Sequence, residues 1–144
     1  MAFDGTAEYS LDAKNRLTVP ARFRADFGAG LVLAKGIERC VSLWKPADYE
    51  TFRGTALQGM HPLSPEARKL QTYFAANSMP AELDAAGRVM VPGFLMDHGA
   101  LTKEVTVIGA GDHLEVWDRA AWAEFNQQLH DDVLSITSSL GHPA

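Results

Sequence analysis

The sequence predicts an α+β domain built from two tandem copies of one unit, with an additional helix after each copy, folded about a pseudo-twofold axis. Three observations carry this. First, Leu11-Asp-Ala-Lys-Asn-Arg-Leu-Thr-Val-Pro20 returns as Leu83-Asp-Ala-Ala-Gly-Arg-Val-Met-Val-Pro92, at an offset of 72 residues. Second, further matches follow in order at an offset of 73: Gly36 with Gly109, Cys40-Val-Ser-Leu-Trp44 with His113-Leu-Glu-Val-Trp117, and Phe52 with Phe125. One inserted residue near Gly99–Thr102 accounts for the shift. Third, each copy (6–51 and 79–122) carries only short strands and one short helix, too little to bury its own apolar face. The whole chain, 144 residues with 47% apolar and 22% charged side chains, can build a core. Interleaved strands in one domain are therefore expected, with 52–78 as a connecting loop and helix and 123–144 as a C-terminal helix and tail.

Each unit opens on an alternating run, Ala7-Glu-Tyr-Ser-Leu11 in copy one, which reads as a strand. A tight turn follows at Lys14-Asn15 or Ala86-Gly87. Asn and Gly tolerate positive φ, which is hairpin chemistry. The next runs, Arg16–Val19 and Arg88–Val91, end at Pro20 and Pro92. Proline suits the first turn of a helix, so a short helix is expected, with Phe23 and Phe27 at i, i+4 in copy one and a stop at Gly28 or Gly99. Two more apolar runs complete each unit. Leu31–Ala34 and Cys40–Trp44 turn at Gly36, and Val105–Ile108 and Leu114–Trp117 turn at Gly109-Ala-Gly111. After copy one, a helix begins near Pro46 and buries Tyr49 and Phe52, and Gln58–Pro62 reads as a loop. Ser64-Pro65 starts the connecting helix, with Ala67, Leu70 and Phe74 on one face. After copy two, Asp118 is a good N-cap, and Trp122, Phe125, Leu129 and Val133 recur at helical spacing. The tail 135–144 is expected to fray.

Composition narrows the chemistry. A single cysteine, Cys40, excludes an intramolecular disulfide framework and a multi-cysteine zinc site. Lying in an apolar strand, it reads as a packed residue rather than a nucleophile. No run approaches the ~18 apolar residues of a membrane span. Met1–Thr6 has neither the basic nor the apolar region of a signal peptide, so a cytoplasmic location and no membrane contact are expected. The histidines His61, His98, His113, His130 and His142 show no metal-ligand spacing. No Gly-x-Ser-x-Gly elbow exists. Gly109-Ala-Gly111 lacks the third glycine of a dinucleotide fingerprint and precedes a strand. Asp12 and Asp84 resemble paired catalytic carboxylates only at first sight. Each has its own arginine four residues on, and repetition of the whole element favours structure or binding. A non-enzyme without metal or cofactor is expected.

Charge gives the positive signal. The net charge is −5, but residues 1–72 carry ten basic and eight acidic side chains, whereas 73–144 carry three and ten. Lys14, Arg16, Arg22 and Arg24 crowd around one acid, Asp12. Over a Debye length of ~8 Å such a cluster sets its own field, whatever distant acids do. The corresponding residues of copy two are Ala86, Arg88, Phe94 and Met96. Copy one thus reads as a phosphate-facing half and copy two as a packing half, with Phe94 and Met96 either core or a subunit contact. Asp12 and Asp84 are expected to brace the turns. A braced Arg16 or Arg88 has lost rotamer entropy before it meets an anion.

The doubled Asp-x-x-x-Arg motifs, Asp12–Arg16 and Asp84–Arg88, each lead into Val-Pro, at Val19-Pro20 and Val91-Pro92. With the stretch Val107–Asp118, they resemble the MraZ family of bacterial regulators and, more distantly, the AbrB/SpoVT swapped-hairpin DNA-binding modules. The resemblance implies an AbrB-like double-split β-α-β barrel and ring-shaped homo-oligomers, about octameric. It also implies a nucleoid-associated repressor that binds double-stranded DNA at repeated sites upstream of the division and cell-wall gene cluster. Carried over residue by residue, it places Arg16 and Arg24 on DNA. With the charge pattern, the expected DNA-binding set is Lys14, Asn15, Arg16, Arg22, Arg24 and Arg88. The family turn is usually Lys-Gly-Arg, whereas this chain has Lys14-Asn15-Arg16. Asn takes the left-handed conformation, so the turn should survive. The competing readings are an oligomeric protein-interaction module of the same fold without DNA binding, and an enzyme.

Overall fold

A computed structural model describes residues 2–141. Copy one supplies β1 (Thr6–Ser10), β2 (Arg16–Thr18), a 3-10 helix (Ala21–Phe27), β3 (Leu31–Lys35), β4 (Val41–Trp44) and α1 (Pro46–Leu57). The connecting helix is α2 (Pro65–Ala76). Copy two supplies β5 (Ser78–Ala81), β6 (Arg88–Met90), α3 (Gly93–Gly99), β7 (Glu104–Gly109), β8 (Leu114–Asp118) and α4 (Arg119–Ser139).

The strands form a six-stranded antiparallel sheet, in the order β1-β7-β8-β4-β3-β5, and a separate two-stranded ladder, β2-β6. Exchanging the copies turns the six-strand order into its own reverse. β1 and β2 were expected to pair with each other across a hairpin, and they do not. The Asp12–Arg16 turn closes locally, with Asn15 N–H donating to the Asp12 carbonyl at 2.9 Å. The strands on either side then part. Tyr9 stands opposite Val105 of β7, and Leu17 opposite Val89 of β6. Leu11, Leu17 and Val19 are all buried. A two-stranded hairpin has no second layer to cover such residues; splaying onto two sheets encloses them in a common core with Leu33, Leu43, Leu95, Leu114 and Val116.

Two satellite clusters seat the following helices. Trp44 of β4 lies under Tyr49 and Phe52 of α1, and the Tyr49 hydroxyl donates to the Phe74 carbonyl, tying α1 to α2. Cys40, Ile108 and Trp117 lie under Trp122 and Phe125 of α4. Burial pushes the Cys40 thiol pKa up, in keeping with a packed, inert side chain.

Two boundaries and one cap differ from expectation. Residues 3–4 precede the repeat but belong to the fold. Phe3 stacks on Phe27 at 5.5 Å and exchanges backbone hydrogen bonds with Gly111, which the local alternation of copy one does not signal. The helix of copy two stops at Gly99 as expected, but the left-handed residue that closes it is Ala100, at φ 48°, rather than the glycine. The expected fraying from residue 135 is not observed, because α4 continues to Ser139. Thr137 and Ser138 hydroxyls donate to carbonyls one turn back, supplying polar partners to the exposed last turn. Residues 142–144, and His142 with them, lie outside the described residues. No described helix is long and apolar enough to cross a membrane, and no group of three or more metal-ligating side chains occurs among the described residues.

Candidate nucleic-acid interface

The two Asp-x-x-x-Arg turns have the same atomic plan. In the first, Asp12 Oδ1 accepts the backbone N–H groups of Lys14 and Arg16, both at 2.9 Å. Its Oδ2 takes the Arg16 Nε–H at 2.6 Å. In the second, Asp84 Oδ1 accepts from Ala86 and Arg88 N–H at 2.9 Å, and Oδ2 takes Arg88 Nε–H at 2.8 Å. Among the described residues only Nε of each guanidinium is engaged, and both terminal nitrogens keep their donors. Asn15 sits at φ 57° and Gly87 at φ 78°, so the asparagine adopts the left-handed conformation expected of it.

The Arg16 backbone N–H, then its guanidinium and the Lys14 N–H, hold the Asp12 carboxyl at about 2, below its ordinary 3.8 and against a smaller desolvation effect. The Arg88 N–H and side chain lower Asp84 in the same way. A carboxyl depressed on folding stabilises the turn fully above its unfolded pKa and loses that contribution as pH falls through the folded value. Carbon-detected NMR titration of Asp12 should therefore give a midpoint near 2. A midpoint near 3.8 would show that the brace is not made in solution.

The ladder β2-β6 fixes the turns relative to each other. Val19 N–H donates to the Gly87 carbonyl, and Val91 N–H to the Asn15 carbonyl, both at 2.9 Å. The turns therefore stand at opposite ends of one short ladder. About 13 Å of strand separates Asn15 from Val19, close to the rise of four base pairs at ~3.4 Å each.

The expected cations are brought together differently from the sequence reading. Lys14 and Arg16 share turn one. Arg24 does not join them. Its Nε donates to the Val19 carbonyl at 3.0 Å, and its side chain packs over Gly87 of turn two. The helix of copy one thus serves the turn of copy two, because the strands between them are exchanged. Arg22 turns away from both. It donates to the Asp4 carbonyl at 2.8 Å and lies 4.4 Å over the Phe23 ring, so it secures the N-terminal segment. The single patch expected around copy one is in fact two clusters, Lys14 with Arg16 and Arg24 with Arg88. Phe94 and Met90 are exposed beside the second helix and strand, while Met96 packs partly against the core.

One residue was missed. Lys103 Nζ donates to the Asp12 carbonyl at 2.9 Å and to Asn15 Oδ1 at 3.0 Å. It clamps the asparagine that stands where the family turn usually has glycine, and it adds a third cation to turn one. A signal existed: Lys103 is the one lysine of residues 73–144 and lies beside the inserted residue. No local pattern pointed it at a turn almost ninety residues earlier.

Gly87 gives a direct check of this packing. A Cβ there would meet the Arg24 side chain, on a backbone at positive φ. Gly87→Ala is expected to displace Arg24 and destabilise turn two by about 1 kcal/mol or more, measured by thermal unfolding. An unchanged midpoint would mean that Arg24 does not pack there.

Residues 2–71 and 74–138 match the family model of the MraZ protein. The chain is similar to the Transcriptional regulator MraZ of Dictyoglomus thermophilum, at 36% identity over 88% of this chain and 86% of the relative. It is 35% identical to that of Salinispora arenicola, over 93% of this chain and 94% of the relative. It is 32% identical to that of Desulfitobacterium hafniense, over 96% of each chain. Doubled, braced Asp-x-x-x-Arg turns and near full-length similarity agree: this chain belongs to the MraZ family.

Proposed function

We propose that this chain is a transcriptional regulator that binds double-stranded DNA through its two braced turns. The observation that carries the reading is the pair of Asp-anchored arginines, Arg16 and Arg88, held at opposite ends of one ladder with Lys14, Lys103 and Arg24 beside them. Backbone phosphates would take the lysines and Arg24. The free terminal nitrogens of Arg16 and Arg88 are suited to a guanine edge, which phosphate contacts alone cannot read. The printed name of the relatives, transcriptional regulator, supports the same reading. The family resemblance further suggests an AbrB-like double-split barrel, ring-shaped homo-oligomers, repeated sites upstream of the division and cell-wall cluster, and repression by occluding the promoter. One chain offers few phosphate contacts, so several chains on several repeats would gain through effective concentration.

Footprinting of the protein's own upstream region, with wild type and Arg16→Ala side by side, tests this. Protection at repeated short sites, lost in the variant, is the expected result. Protection absent from both would overturn it in favour of a protein-interaction role. Lys103→Ala gives a graded check. It removes one cation and the Asn15 clamp, so affinity should fall by roughly tenfold, with a shallower salt dependence. An unchanged affinity would remove Lys103 from the interface.

A further inference from the structure

The stripe that seats α4 does not end where its seat ends. Trp122, Phe125, Leu129, Val133, Ile136 and Leu140 follow one another at steps of three and four. The first two pack on Trp117, at 5.4 and 4.5 Å between ring centroids. From His130 to Gly141 every residue is exposed. Val133, Ile136 and Leu140 are 51%, 55% and 70% exposed. Leu129 to Leu140 spans about 17 Å of helix. A 4-3-4 apolar seam of that length is the pattern of a helix that lies against another helix.

The described chain carries a surface that fits it. The turn between α1 and α2 holds a mainly apolar cleft of about 650 Å³, where Leu57, Met60, Pro62 and Ala67 meet Arg68, Gln71 and Thr72 of α2. A second cleft, which shares Arg68 and Thr72 with the first, reaches Tyr73 and Lys69. Arg68 and Lys69 are exposed, and neither has an ion-pair partner among the described residues. The distal half of α4 carries Asp131 and Asp132, and no lysine or arginine follows Arg119. Apolar seam meets apolar cleft, and carboxylates meet cations.

We propose that the distal half of α4 is an arm that docks on the α1–α2 face of a second copy of this chain. The alternative of arm against arm brings four aspartates together with no lysine or arginine, which like-charge repulsion disfavours. Arm and face are different surfaces, so the contact is head-to-tail. Each copy keeps one free arm and one free face until a ring closes. The inference rests on the oligomer part of the proposed function and is independent of DNA.

Size-exclusion chromatography with light scattering on the full chain tests it. Three forms are needed: wild type, an arm variant (Val133→Asp with Ile136→Asp) and a face variant (Arg68→Glu with Lys69→Glu). All four positions are exposed or at a cleft edge, and circular dichroism confirms that each variant folds. Wild type should assemble beyond a dimer, and each variant alone should be monomeric. An equimolar mixture of the two variants should give a dimer and nothing larger, because one intact arm meets one intact face. Adding Asp131→Lys and Asp132→Lys to the face variant should restore assembly. If the face variant assembles like wild type while the arm variant does not, arms pair with each other and the proposal is wrong. If both variants assemble like wild type, or the mixture stays monomeric, the proposal is also wrong while the oligomer reading stands. A monomeric wild type overturns both.

Discussion

Replacing Arg16 and Arg88 together with alanine should lower affinity for the protein's own upstream DNA by on the order of 100-fold or more. A bidentate arginine on a base edge contributes about 1–3 kcal/mol of discrimination, and two such contacts at opposite ends of one ladder should act nearly additively. Among the described residues each guanidinium pairs with one partly exposed aspartate, and ion pairs open to solvent stabilise a fold little. The double variant should therefore unfold within a few degrees of wild type. Fluorescence anisotropy with a labelled duplex, beside a thermal melt, separates the two effects. Loss of binding with an unchanged melt is the expected outcome. Binding retained at wild-type strength would mean that the turns do not face DNA.

The largest effect on stability is expected from Leu17→Ala. Leu17 is fully buried at the centre of β2, opposite Val89. Truncating a buried leucine costs about 2–5 kcal/mol through lost transfer energy and the cavity left behind. For a domain of this size the melting temperature should fall by about 10 °C. The ladder also sets the spacing of the two turns, so DNA binding should weaken well below the new melting point. Leu134→Ala, on the exposed side of α4, is the control and should stay within about 0.5 kcal/mol. Equal effects from the two would contradict the placement of the core.

These predictions separate what local sequence carries from what it does not. The turn residues, the Asp12 and Asp84 braces and the left-handed Asn15 all depend on residues within five positions of one another. Short-range spacing encodes them, and they were legible. Long-range pairing was not. β1 and β2 read as a hairpin because a tight turn joins them, yet their partners, β7 and β6, lie about seventy residues away or further. Burial of both copies at once decides that choice, and no turn residue records it. The same exchange explains why Arg24 serves the second turn rather than the first. It also explains why Lys103, in the acidic half of the chain, completes the basic cluster of the other half. The charge asymmetry pointed to the cationic residues but assigned them to one copy, whereas the fold divides them between the two turns. Trp122, Phe125, Leu129 and Val133 were expected on one face of α4, and they are. That Trp122 and Phe125 pack on the Trp117 cluster, while Leu129 is half-buried and Val133 exposed among the described residues, is visible in the structure alone.

The affinity of wild-type protein for a duplex from its own upstream region, measured between about 50 and 200 mM salt, tests the central claim most directly. If the two turns neutralise phosphates, the logarithm of the binding constant should fall linearly with the logarithm of salt, by about 0.9 for each phosphate contacted. The slope should shrink by about one when Lys103 or Arg24 is replaced by alanine. An affinity that neither salt nor Arg16→Ala with Arg24→Ala alters would contradict the account.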